Sequence, residues 1–149
     1  MRGFTLAEII IAVAILVLLA TLVIGNLGPF RDRTNLNSAA EDGVSLLNEA
    51  RSRTLSSQGG SQYSVRFETN KMILFTGATY NAGAPDNNES PLPAAIEISS
   101  ISLNGGGVAV TFNRLTGATA NYGTITFRLI HDTSQTRVVT INSAGNISL

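Results

Sequence analysis

The 149-residue sequence has no cysteine, no tryptophan, one histidine and four prolines. Without cysteine there can be no disulfide and no thiolate metal site. This leaves the compartment open, since exported chains can do without disulfides. One histidine leaves few of the side chains that build nucleophilic or metal-dependent sites, and no His or acidic cluster has ligand spacing. The expectation is a chain that is not an enzyme and carries no cofactor and no metal. Charge is also scarce: 13% of residues, ten basic against ten acidic, for a formal net charge of zero. No basic patch stands out, so nucleic acid is not indicated as a partner. The charge is unevenly placed as well. Between Gly3 and Arg31 the only ionisable side chain is Glu8, and everything from Arg31 onward reads as a polar, globular body.

What is present is a long apolar run. Phe4 to Ile24 reads FTLAEIIIAVAILVLLATLVI. As a helix it would rise about 31 Å, the thickness of a hydrocarbon core of roughly 30 Å. Leu, Ile, Val and Ala fill every side of it. A helix apolar all round sits in lipid or among other helices, and the body that follows is too small to wrap it. Three readings compete. A cleaved secretory signal has a shorter apolar run, a more basic start and a small-x-small site; here the start has only Arg2, and Leu18-Leu19-Ala20 puts a bulky residue where a small one is wanted. A plain membrane anchor fits the length but leaves Glu8 unexplained. A carboxylate in a span costs about 2.5–3.5 kcal/mol even on the lenient scale, and such groups have partners. The third reading supplies that partner.

Gly3-Phe4-Thr5-Leu6-Ala7-Glu8, followed at once by the apolar run, resembles the type III signal of type IV pilins and of the pseudopilins of type II secretion. In that family a membrane peptidase cuts after the glycine and methylates the new N-terminal residue. The resemblance implies a leader of residues 1–3, cleavage between Gly3 and Phe4, and N-methylation of Phe4. It also implies that Glu8, the family's signature acid, sets register by pairing with the freed amine of Phe4 on a neighbouring subunit. The leader is short, with one positive charge. The partners implied are prepilin peptidase, other pilin or pseudopilin subunits, an inner-membrane assembly platform and, before assembly, membrane lipid. The implied location is a single pass through the cytoplasmic membrane with the C-terminal body outside, then a periplasmic or extracellular filament.

Residues 4–30 are thus expected to form the transmembrane or filament-core helix and residues 31–149 the globular domain. Gly25, Gly28 and Pro29 are expected to interrupt the helical pattern. It resumes near Asn35 and runs to about 57, with Leu36, Ala39, Ala40, Val44, Leu47, Ala50 and Leu55 as an amphipathic stripe and Gly43 as a weak point. After Gly60 the period becomes two. Tyr63, Val65 and Phe67, then Met72 to Phe75, read as a hairpin. Residues 77–93 read as a long loop. Further strands are expected at 95–99, 108–113, 124–130 and 137–142. The fold class is α+β: a long N-terminal helix packed on an antiparallel sheet.

The C-terminal half is similar to the H-type pseudopilin and related minor pilins, in Phe112-Asn113-Arg114-Leu115-Thr116-Gly117, Thr124-Ile125-Thr126-Phe127, Arg137 to Asn142 and Gly145-Asn146-Ile147. The resemblance implies a minor structural subunit of a type IV pilus or type II secretion pseudopilus. Two other roles remain open at this stage. One is a minor pilin for DNA uptake, which would need Arg66, Lys71, Arg114, Arg128 and Arg137 to cluster. The other is a membrane-anchored binding module that does not polymerise. His131, Asp132 and Ser134 have the residue types of a hydrolytic triad, but they share one turn, whereas a triad is assembled from separate elements. Gly105 to Gly107 lacks the Lys-Ser/Thr of a phosphate loop.

Overall fold

The computed structural model describes residues 3–24 and 27–149 of the chain. The chain divides into two compact units, Met1–Asp32 and Arg33–Leu149. The first contains α1 (Leu6–Ile24). Its apolar side chains point outward on every side: Ile9, Ile10, Ile11, Val13, Ile15, Leu16, Val17 and Leu19 are all more than half exposed. Among the described residues no helix is long and apolar enough to cross a membrane. At 19 residues, α1 rises about 28 Å, against a hydrocarbon core of roughly 30 Å.

Helix α2 (Leu27–Leu55) starts earlier than its sequence suggests. Gly28 and Pro29 do not interrupt it; they occupy its first turn. The first four N–H groups of a helix have no intrahelical partner, so a proline there costs no hydrogen bond. Gly25 lies outside the described residues. Farther along α2, Leu36, Ala39, Ala40, Leu46, Leu47 and Ala50 are buried and Val44 is half-buried. This is the expected stripe, widened by Leu46. Leu55 departs from it and is exposed; Thr54 takes the inward position instead. The Thr54 hydroxyl donates to Ala50 O (2.7 Å) and accepts from Tyr63 N (2.8 Å), which ties the helix end to the first strand. Gly43, a weak point by propensity, is a point of close approach. A Cβ there would lie 3.0 Å from Phe127 Cζ and 3.4 Å from Met72 Sδ.

After a short 3-10 turn at Gln58–Gly60, the second unit holds eight strands: β1 (Tyr63–Glu68), β2 (Lys71–Thr76), β3 (Asn88–Pro91), β4 (Ile96–Leu103), β5 (Ala109–Thr111), β6 (Gly123–Leu129), β7 (Thr136–Ile141) and β8 (Ile147–Ser148). They form two four-stranded antiparallel sheets, ordered β3-β2-β1-β5 and β4-β6-β7-β8, where a single sheet was expected. Val65, Phe67, Met72, Leu74 and Val110 of the first sheet, with Phe112 just after β5, join Ile98, Ile125, Phe127, Val139 and Ile141 of the second in one core with the α2 stripe.

Three strand expectations need correction. The 77–93 loop contains β3, whose Asn-Glu-Ser-Pro sequence has no strand signal. It forms as an edge strand, the one place in a sheet where Pro91 removes no needed ladder donor. Strand β4 runs on to Leu103 because a bulge between Ile98 and Ser100 shifts the inward–outward phase, so the simple alternation in sequence stops at Ser99. Val108 is exposed at the entry to β5.

Candidate functional site: the N-terminus of α1

Gly3, Phe4 and Thr5 precede the helix and are not helical. The Phe4 ring is 84% exposed, and a Cβ on Gly3 would meet nothing within 4 Å. Among the described residues no packing explains why position 3 is glycine. The bond between Gly3 and Phe4 lies in an open, non-helical strand of chain.

Glu8 is not an isolated acid. Thr5 N and Thr5 Oγ1 each donate to Glu8 Oε2 at 3.1 Å, while Glu8 N donates to Thr5 Oγ1 at 3.3 Å. Thr5 is the residue before Leu6, and Glu8 is the third residue of the helix, so the pair forms a reciprocal capping box. The negative charge also sits at the positive end of the α1 macrodipole. The sequence expectation for Glu8 does not include this role. The Thr-x-x-Glu spacing ahead of an apolar run was the signal that could have found it. Phe4, Glu8, Ile9, Ala12 and Val13 line a groove of about 500 Å³ along one side of the helix start. The carboxylate thus stands beside an open apolar surface with the helix N-terminus behind it.

One measurable consequence is local. Thr5→Val keeps the size of the side chain and removes the hydroxyl. Loss of an N-cap of this kind costs about 1 kcal/mol. Amide exchange at Ala7, Glu8 and Ile9 in the full chain should speed up about fivefold, with the second unit unchanged.

The other sequence candidates lie elsewhere. His131, Asp132 and Ser134 sit in the β6–β7 connection. There Asp132 Oδ1 accepts from Ser134 Oγ (2.6 Å) and Ser134 N (3.2 Å), a turn-closing arrangement. The Ser134 hydrogen bond holds the Asp132 carboxyl below the ordinary carboxylate range. Four of the five basic residues considered for nucleic acid are engaged by other side chains. Arg66 pairs with Glu68 (2.9 Å), Lys71 with Glu89 (2.7 Å), Arg128 with Glu97, and Arg137 donates to Asn37 Oδ1 (2.7 Å). Arg66 and Lys71 belong to one sheet, Arg128 and Arg137 to the other, so these four do not form one bare basic face.

No protein-family model and no curated protein matches this sequence. Among solved structures it is similar to the type IV minor pilin FimU of Pseudomonas aeruginosa. The two are 21% identical with a TM-score of 0.58, and the match covers 76% of this chain and 90% of that one. The chain has a type IV pilin-like fold. Within that fold the capped N-terminus of α1 is the candidate site, since it holds Gly3, Phe4 and Glu8 within a few residues of one another.

Proposed function

We propose that this chain is a structural subunit of a type IV pilin-like filament and that it assembles through α1. The observation that carries the reading is α1 itself. It is apolar on every side and exposed on every side, with a lone acid fixed at its start. A surface of that kind needs lipid or other helices around it.

In this reading a prepilin peptidase cuts between Gly3 and Phe4 and methylates the Phe4 amine. Glycine at position 3 then answers to the peptidase rather than to the fold. Before assembly α1 lies in the cytoplasmic membrane with the second unit outside. Its shortfall of about 2 Å costs fractions of a kcal/mol per Å, which local thinning absorbs. An assembly platform then moves the subunit from lipid into a filament, where neighbouring helices replace the acyl chains. Burial of apolar surface is nearly equal in the two settings, so the polar end decides the register: the Phe4 amine of one copy meets Glu8 of another. A buried pair adds little net stability, yet an unmatched charge costs about 3–5 kcal/mol, which penalises misaligned docking.

The fold likeness to a minor pilin, together with the C-terminal resemblance to H-type pseudopilins, favours a minor subunit over a shaft-forming one. Intact-mass measurement of the chain purified from its native membrane tests the processing step. The reading expects loss of Met1 to Gly3 and one added methyl on Phe4. A chain that retains Met1 and has an unmodified Phe4 would instead mark a plain anchored module.

A further inference from the structure

The first sheet carries a second, smaller apolar layer on the face away from α2. Ser64, Ile73 and Phe75 are buried there, opposite in phase to Val65, Phe67, Met72 and Leu74 on the core face. The segment after β2 lies over this layer. Tyr80 meets Phe75 edge-on with ring centroids 5.4 Å apart, and Ser64 Oγ donates to Gly77 O at 2.6 Å. The cover is incomplete. A groove of about 480 Å³ remains, bounded by Arg66, Thr79, Tyr80, Val108, Ala109 and Asn121.

Arg66 is the one charged residue among the described residues that line this groove. Its guanidinium lies 4.8 Å from the centre of the Tyr80 ring, and its Nε donates to Glu68 Oε1 at 2.9 Å. Two contacts thus fix the plane of the fork while its two terminal nitrogens remain available. Glu68 is itself shared with Lys71, 4.0 Å away. Asn121 Oδ1 accepts from Thr111 N at 3.3 Å, so the donor end of that amide is the uncommitted one. Ser64 gives its single proton to Gly77 O, so the Ser64–Thr111 hydroxyl contact of 2.9 Å uses the Thr111 proton. The Thr111 hydroxyl is left with acceptor capacity only, while the charged and amide groups that remain free, the Arg66 terminal nitrogens and the Asn121 amide nitrogen, are donors. Phe75, Ala78, Gly107, Val108 and Ala109 supply the apolar part of the lining.

This combination selects a ligand with many acceptors, a negative charge and a ring-sized body. A planar fork matches a carboxylate in two-point fashion, and the volume lies in the range of small-molecule sites. We propose that the groove binds a uronic acid residue, its carboxylate on the terminal nitrogens of Arg66 and its hydroxyls on Asn121 and Thr79. The proposal is independent of how α1 assembles.

The full chain in detergent micelles is titrated with sodium galacturonate while nitrogen–proton shifts of Arg66, Thr79, Tyr80 and Asn121 are followed. Galactose and sodium acetate serve as controls at matched ionic strength. Saturable shifts at those four residues are expected, with a dissociation constant on the order of 1 mM. Galactose, which lacks the carboxylate, and acetate, which lacks the ring, should each bind at least about tenfold more weakly. Arg66→Lys keeps the charge and loses the fork, and it should weaken galacturonate binding about tenfold with the rest of the spectrum unchanged. Equal affinity for galacturonate and galactose on the unaltered chain would overturn the proposal without recourse to any variant. So would equal affinity for acetate, or an absence of saturation by about 50 mM.

Discussion

Glu8→Ala should leave the chain membrane-inserted and folded and yet reduce its incorporation into filaments at least 100-fold, scored by immunoblot of the purified fibre fraction. Two effects add. The substitution removes the carboxylate that accepts from Thr5 N and Thr5 Oγ1, at about 1 kcal/mol for a lost cap. In the proposed filament it would also leave the Phe4 amine of the neighbouring subunit without its counter-charge, at about 3–5 kcal/mol. A loss of 3 kcal/mol per contact already exceeds 100-fold in affinity. Insertion itself should improve, since a carboxylate in a span is costly. Glu8→Gln separates the two roles. Glutamine serves in a capping box as glutamate does, but it carries no charge. Filament incorporation should therefore fail in Glu8→Gln almost as completely as in Glu8→Ala. Normal incorporation of Glu8→Gln would assign the defect of the alanine variant to the helix cap and remove the charge pair from the account.

The second large effect lies in the globular unit. Gly123→Ala should lower its thermal midpoint by about 15 °C. Gly123 opens β6 at φ 152°, directly opposite Leu103 of β4. A Cβ at this position would stand 2.0 Å from Ser102 O and 2.9 Å from Leu103 Cα. Both contacts are backbone, so no rotamer change relieves them. The strands must separate, and the Asn104 N to Tyr122 O bond of 2.7 Å beside them goes with the ladder. A cost of about 3–5 kcal/mol follows from overpacking plus lost pairing, and for a domain of this size each kcal/mol moves the midpoint by several degrees. Gly106→Ala is the matched control. Its φ is 71°, but nothing lies within 4 Å of the added carbon. It should cost only the left-handed penalty of about 1–2 kcal/mol. Melting of both variants, followed by far-ultraviolet circular dichroism, compares a blocked approach with a strained turn.

These residues also mark how far the sequence could be read. The amphipathic stripe of α2 and the β1–β2 hairpin were legible because both follow simple periods, 3.6 and 2, over enough residues to stand out. The ends of the α+β fold were legible for the same reason. The division into two sheets was not, because strand pairing depends on contacts far apart in sequence. The Ser99 bulge hid half of β4, since one extra residue inverts every later side chain. Edge strand β3 had no pattern to read. Gly43 and Gly123 show the limit most clearly. In sequence one looked like a weak helix position and the other like nothing at all, whereas both are places where another part of the chain comes too near for a side chain. At the N-terminus, Gly3, Phe4 and Glu8 were legible as a motif by resemblance. The Thr5–Glu8 cap is also present in the Thr-x-x-Glu spacing.

The central claim is that α1 ends among the N-terminal helices of other subunits. A photo-crosslinking amino acid at Ala12, in the groove beside Glu8, reports this directly in the native membrane and fibre fractions of cells that express the full chain. The account predicts light-dependent adducts in the fibre fraction that carry a second N-terminal helix, from another copy or from another filament subunit, and that disappear with Glu8→Gln. Adducts to lipid alone in every fraction, with no subunit adduct and no dependence on Glu8, would contradict it.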